Sequence, residues 1–182
     1  MRRWGKARLL LTVICACFLL AGCKSMTMEE AFRKSYPDED CKILYSQPTA
    51  DGELAFFRSA EAGGTEGIGL AVFEGDSRTG WRMTQSGSFS YPGRTIVDIG
   101  KVNLGSEGEK DVIYGYTDEP DVASIEVADR DGNVIEAHIV DTEWKKIWYA
   151  VANIDSLNLK VISSKGDVVY QVPSPAGGNA DN

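Results

Sequence analysis

The chain has 182 residues, with 27 acids, 19 bases, a formal charge of −8, a pI near 4.7 and four cysteines. This composition excludes a collagen, a disulfide-rich miniprotein, a long coiled coil and a mostly disordered chain. It also argues against a nucleic-acid partner, because neutralising phosphates needs a basic patch. The length holds one targeting segment and one modest folded region.

The chain starts with a positive stretch, Arg2, Arg3, Lys6 and Arg8, followed by Leu9–Leu20, which is apolar apart from Thr12. Twelve residues cover about 18 Å as a helix, short of the roughly 30 Å hydrocarbon core of a bilayer. A charged start, a short apolar core and small residues at its end read as an export signal. Leu20-Ala21-Gly22-Cys23 resembles the lipobox of bacterial lipoproteins. The resemblance implies cleavage after Gly22, a signal peptide over residues 1–22 and a diacylglyceryl group on Cys23. Two acyl chains give the stable membrane anchor that a single chain does not.

Removing residues 1–22 takes away four bases and no acid, so the formal charge moves from −8 to −12. Cys15 and Cys17 leave with the signal and Cys23 is consumed, so Cys41 alone keeps a thiol. Without a disulfide, stability must come from the core. Residues 23–26 read as a tether. Thr27 and Glu30 then form a capping box, and Met28, Ala31, Phe32 and Tyr36 share a helical face that ends before Pro37.

After Pro37 the patterning is strand and turn. Strands are expected at Lys42–Ser46, Glu53–Ser59, Ile68–Glu74 and Trp81–Gln85, with turns at Gly63-Gly64 and Thr79-Gly80. Ser86–Arg94 is rich in Gly, Ser and Pro and marks an internal boundary, so residues 27–94 read as an N-terminal α+β region. Seven further strands are expected at Thr95–Leu104, Asp111–Thr117, Val122–Ala128, Val134–Val140, Ile147–Asn153, Ser156–Ile162 and Val168–Val172. The fold expected is mainly β: a short helix with a small antiparallel sheet, then an Ig-like or FN3-like β-sandwich over residues 95–173. One continuous β-rich domain plugged by the helix is the alternative. Asp131-Gly132 is a hairpin signal. Ile125, Val127, Gly132, Val134 and Ile135 recur 34 residues later as Leu159, Val161, Gly166, Val168 and Val169, which fits two hairpins of one pattern. Residues 174–182 read as a flexible polar tail.

Signatures of catalysis are missing: there is no G-x-S-x-G, H-E-x-x-H, G-x-x-x-x-G-K or G-x-G-x-x-G. His138 is the single histidine and falls in a strand; a Cys41–His138 pair has no support in the spacing. One histidine and one thiol make a poor zinc site. Asp129–Asn133 has its glycine two positions early for an EF-hand loop, and Asp118, Glu119 and Asp121 form a second acidic loop. No metal and no cofactor is expected. A hydrolase using a pair of acids is one alternative, since 27 acids offer many pairs. Trp144, Trp148 and Tyr149, beside Lys145 and Lys146, are the candidates for contact with an envelope protein or glycan, with packing as the plainer reading of the same residues.

Across residues 23–182 the chain resembles small lipoproteins of Bacillus- and Paenibacillus-type bacteria, a group without an assigned activity. The resembling residues are Gly80-Trp81, Ile113-Tyr114-Gly115, Ile125-Glu126-Val127 with Ala137, and Ile147-Trp148-Tyr149. The resemblance implies a Gram-positive lipoprotein held on the extracytoplasmic face of the cell membrane by Cys23. The expected role is a non-enzymatic binding or interaction module, and a spacer without a specific ligand is a further alternative.

Overall fold

The computed structural model describes residues 25–60, 66–89 and 93–172. The expected signal peptide at 1–22, Cys23, the expected Gly63-Gly64 turn and the expected tail at 174–182 lie outside these residues.

Helix α1 spans Met28–Ser35. Its capping box forms as expected: Glu30 N–H donates to Thr27 Oγ1 (3.1 Å), and the Glu30 carboxylate accepts from Thr27 N–H (3.3 Å). Twelve antiparallel strands follow. β1 (Lys42–Thr49), β2 (Gly52–Ala60), β3 (Glu66–Asp76) and β4 (Gly80–Phe89) make a first sheet in chain order. β5 (Thr95–Asn103), β6 (Glu109–Thr117), β9 (His138–Asp141) and β10 (Lys146–Ala152) make a middle sheet, ordered β5-β6-β10-β9. β7 (Val122–Ala128), β8 (Val134–Glu136), β11 (Leu159–Ser163) and β12 (Val168–Val172) make an outer sheet, ordered β12-β11-β7-β8.

Three apolar clusters bind these elements into four layers. Ala31 and Phe32 of α1 pack with Cys41, Ala55, Phe57 and Phe73 on one face of the first sheet. Its other face sends Leu54, Phe56, Leu70 and Phe89 against Tyr114, Tyr116, Ile147 and Tyr149 of the middle sheet. The opposite face of the middle sheet sends Ile113, Trp148 and Ala150 against Ile125, Val127, Leu159 and Val161 of the outer sheet, in a sandwich-like arrangement. Successive strand residues face opposite sides. That is why β6 from Val112 to Tyr116 and β10 from Ile147 to Ala152, both without a charged residue, suit a sheet covered on both faces. Gly115 on β6 is fixed by close approach: a Cβ there would meet the Ile96 carbonyl oxygen at 1.8 Å.

Four expectations need correction. Of the boundary expected at Ser86–Arg94, Ser86–Phe89 is not loop but the end of β4, paired with β3 up to Ile68↔Phe89. The cluster between the first and middle sheets also draws residues from both sides of that segment. The single strand expected at Val134–Val140 divides between two sheets, so the second half contributes eight strands. The chain crosses at Ala137, a small residue 6% exposed, whose N–H donates to Ile125 O (2.8 Å). β11 starts at Leu159, three residues later than expected, because the preceding residues turn the chain back beside Ala128. Finally, Ser25 and Met26 are not free tether: Ser25 bridges to Trp81, and Met26 N–H donates to Glu30 Oε2 (2.8 Å).

The 34-residue echo has a structural meaning. Its two copies are the hairpins β7–β8 and β11–β12, which are neighbours in the outer sheet with Ile125 opposite Val161 and Val127 opposite Leu159. Gly132 and Gly166 take the same positive φ, 82° and 84°. Asp129 Oδ1 accepts the N–H groups of Asp131 and Asn133, and Ser163 Oγ accepts those of Lys165 and Asp167. Asx and Ser side chains close tight turns in this way.

Candidate binding cleft at the loop end

The strand registers collect several connections at one end of the layers. Ala60 lies opposite Glu66, Ile68 opposite Phe89, Thr117 opposite both Thr95 and Lys146, and Val122 opposite Ser163. The connections β6–β7, β9–β10 and β11–β12 and the residues leading into β5 therefore meet there. Polar contacts stitch them together. Asp118 N–H donates to Arg94 O (2.7 Å), and Ser164 N–H donates to Asp121 O (2.7 Å). Lys145 Nζ donates to Asp118 Oδ2 (2.9 Å) and sits 4.2 Å from the centre of the Tyr116 ring. Trp144 Nε1 donates to Glu66 Oε2 (2.9 Å). That bond, with help from Arg58 and Lys145, holds the Glu66 carboxyl below its ordinary range.

Between the edges of the middle and outer sheets runs a cleft of about 480 Å³, lined by Arg94, Thr95, Val97, Glu119, Val169 and Tyr170. A smaller hollow of about 270 Å³ shares Arg94, Glu119 and Val169 and reaches Lys165 and Asp167. Arg94 pairs with Glu119 at 3.3 Å and remains 68% exposed. One wall is β12, whose sequence Val168-Val169-Tyr170-Gln171-Val172 contains neither charge nor proline. The other five edge strands each carry such a residue: Lys42 and Pro48 on β1, Arg82 on β4, Asp98 and Lys101 on β5, Glu136 on β8 and Asp141 on β9. Edge strands ordinarily use charge or proline to prevent pairing with another chain. β12 lacks that protection, and Val168 and Val169 are 52% and 47% exposed.

The aromatic candidates do not form a surface patch. Trp148 is fully buried between the middle and outer sheets, and Tyr149 is 2% exposed between the middle and first sheets. Both faces of β10 are covered, so alternation brings neither residue to solvent. Trp144 is half-buried at the loop end, edge-on to Tyr116. The neighbouring cations are paired, Lys145 with Asp118 and Lys146 with Asp141. Cys41 packs beneath α1, whereas His138 is exposed and stacks on Tyr149 with 5.1 Å between ring centres.

The Asp129 and Asp76 carboxylates close turns, whereas Asp118 and Glu119 pair with Lys145 and Arg94. Asp129 accepts from Asp131, Asn133 and the Asn133 side-chain amide, and Asp76 accepts from Arg78 and Thr79. These donors hold both carboxyls below their ordinary range, as the Ser106 N–H does for Asp51. A general acid needs the opposite shift. Among the described residues no group of three His, Cys, Asp or Glu side chains is placed to hold a metal ion, and no helix is long and apolar enough to cross a membrane.

In the sequence Arg94 reads as the end of a boundary, Glu119 as part of an acidic loop and Val169 as part of a hairpin, and nothing there joins the three into one site. The signal available in the sequence was β12 itself, a charge-free strand just before a Pro-containing tail. Comparison with known families, curated proteins and solved structures gives no significant match to any of them.

Proposed function

We propose that the protein is a lipoprotein anchored through Cys23 on the extracytoplasmic face of the cell membrane, where it acts as a non-enzymatic binding module. The lipobox supports the anchor. The strand orders β5-β6-β10-β9 and β12-β11-β7-β8 support reading residues 95–172 as an Ig-like sandwich, since they follow the A-B-E-D and G-F-C-C′ arrangement of that fold. It is an Ig-like sandwich without the inter-sheet disulfide, its one large buried indole being Trp148 on the strand in the E position.

The observation that carries the binding role is the unprotected β12 edge beside the cleft. An exposed strand edge receives an extended segment by main-chain hydrogen bonding, while side pockets select alternate side chains. The proposed ligand is an extended, largely apolar segment of an envelope protein, with Arg94 and Glu119 at the polar rim. The burial of Trp148 and Tyr149 favours the competing spacer role over an aromatic docking patch, so the decisive variants are in the cleft.

A photo-crosslinking side chain at position 169, compared in whole cells with one at Ser77 on the β3–β4 turn, tests the reading. The expected result is a discrete crosslinked product from 169 that disappears in an Arg94→Glu background. A product equally strong from both positions, or none from 169, contradicts it. A product with the mass of two copies of this chain identifies self-association instead.

A further inference from the structure

The anchored protein has a fixed footing. Ser25 and Trp81 exchange both backbone hydrogen bonds, Ser25 N–H to Trp81 O (3.1 Å) and Trp81 N–H to Ser25 O (2.7 Å), and Ser25 is 5% exposed. The next residues are also held: Met26 and Thr27 N–H both donate to Glu30 Oε2, and α1 begins at Met28. The chain therefore has no slack from residue 25 onward. Cys23 is two residues away, at most about 7 Å of extended chain.

Trp81 lies at the start of β4, beside the β3–β4 turn. That end also holds the β1–β2 and β5–β6 connections, joined by Ser106 N–H to Asp51 Oδ2 (2.6 Å) and Ala50 N–H to Glu107 Oε1 (3.0 Å). The β12 cleft meets the opposite end, where Phe89 closes β4. Ten strand residues separate those ends by about 30 Å.

We infer that an acylated Cys23 seats the protein on the phospholipid surface by its Ser25–Trp81 end, with the loop-end cleft turned away from the bilayer. The seating rests on the anchoring reading above. Met26, 80% exposed beside the anchor, supplies an apolar contact at the headgroup level. Arg78 on the exposed turn supplies a cation toward lipid phosphates. The Asp76 carboxylate of the same turn is engaged by the N–H groups of Arg78 and Thr79. The consequence is that partners approach from the wall side, and two lipids on a single residue set the orientation as well as the location.

The test uses the full chain expressed in a bacterial host and purified from membranes into bilayer discs. A fluorophore is placed at Ser77→Cys or Lys165→Cys; Cys41 is 5% exposed and stays unlabelled in the folded protein. The discs contain a phospholipid with a nitroxide on its headgroup, and mass spectrometry reads the N-terminus of the same sample. With Cys23 diacylated, the seating predicts quenching several-fold stronger at position 77 than at 165. Inserting twelve Gly and Ser residues between Lys24 and Ser25 should bring the ratio toward one. Equal or reversed quenching on a diacylated protein overturns the seating alone, as does a ratio that the insertion leaves unchanged. An unmodified Cys23 overturns the anchoring reading and the seating together.

Discussion

The two faces of the middle sheet are built from the same strands but from different chemistry. Toward the outer sheet, β6 and β10 offer Ile113, Trp148 and Ala150 to an aliphatic partner face. Toward the first sheet they offer Tyr114, Tyr116 and Tyr149, whose hydroxyls must be accommodated as their rings are buried. Tyr149 Oη donates to Gln47 Oε1 (3.1 Å), and Tyr114 bonds to Asp98. Phe56 packs 4.7 Å from the Tyr149 ring. One interface is aliphatic around a buried indole; the other is an aromatic layer with a polar lining. The difference shows how a first sheet and a sandwich can share a single middle layer, each interface using every second residue of the same strands.

The largest expected effect lies on the aliphatic face. Trp148→Ala should cost about 3–5 kcal/mol in chemical denaturation. Trp148→Phe should cost much less, because the buried indole N–H has no partner to lose. A small loss for Trp148→Ala would mean the sandwich interface is looser than its burial indicates. Next is Gly115→Ala, in which the new methyl meets the Ile96 backbone and the Trp148 ring (2.9 Å). It should cost about 1–3 kcal/mol, and an unchanged Tm would contradict the close approach of β5 and β6.

The aromatic face should be the alkali-sensitive one. Burial, and for Tyr114 the Asp98 carboxylate, pushes the Tyr114 and Tyr149 hydroxyls above the ordinary phenol value of 10.0. An unfolded chain then loses these protons before the folded one does. Stability is intact below pH 10 and falls as pH rises from there toward the folded values. Tyr149→Phe should cost about 0.5–1.5 kcal/mol at neutral pH and flatten the alkaline decline, measured by denaturant midpoints from pH 8 upward. An equal decline in wild type and variant would remove Tyr149 from this account. The smallest stability effect belongs to the β12 edge: Val168→Lys, 52% exposed there, should stay within about 0.5 kcal/mol while abolishing crosslinking from position 169.

Much of this was readable from local rules. The Thr27–Glu30 capping box, the Asp131-Gly132 hairpin and the echo between Gly132 and Gly166 depend on short stretches whose turn chemistry is written in the residues themselves. The layering was harder. Ser86–Phe89 looks like a linker because Ser and Gly are poor strand formers, yet β3 pairs with it along its whole length and tertiary pairing overrides propensity. The division of Val134–Val140 at Ala137 is invisible to alternation, which continues smoothly across a change of sheet. Trp148 and Tyr149 were ambiguous because an apolar run fits either a covered strand or an exposed aromatic patch. Only the presence of sheets on both sides decides between them. The cleft was missed because it is made by residues far apart in sequence, Arg94, Glu119 and Val169, none unusual alone.

The proposed binding role requires the β12 edge to receive an extended segment of an envelope partner. Amide hydrogen exchange on the full chain, with and without the crosslinked partner's purified segment, measures this directly. The expected result is slowed exchange at Val168–Val172 and at Thr95–Val97 across the cleft, with Val134–Glu136 on the opposite edge of the β12 sheet unchanged. Unaltered exchange at β12, or protection confined to β8, would contradict it.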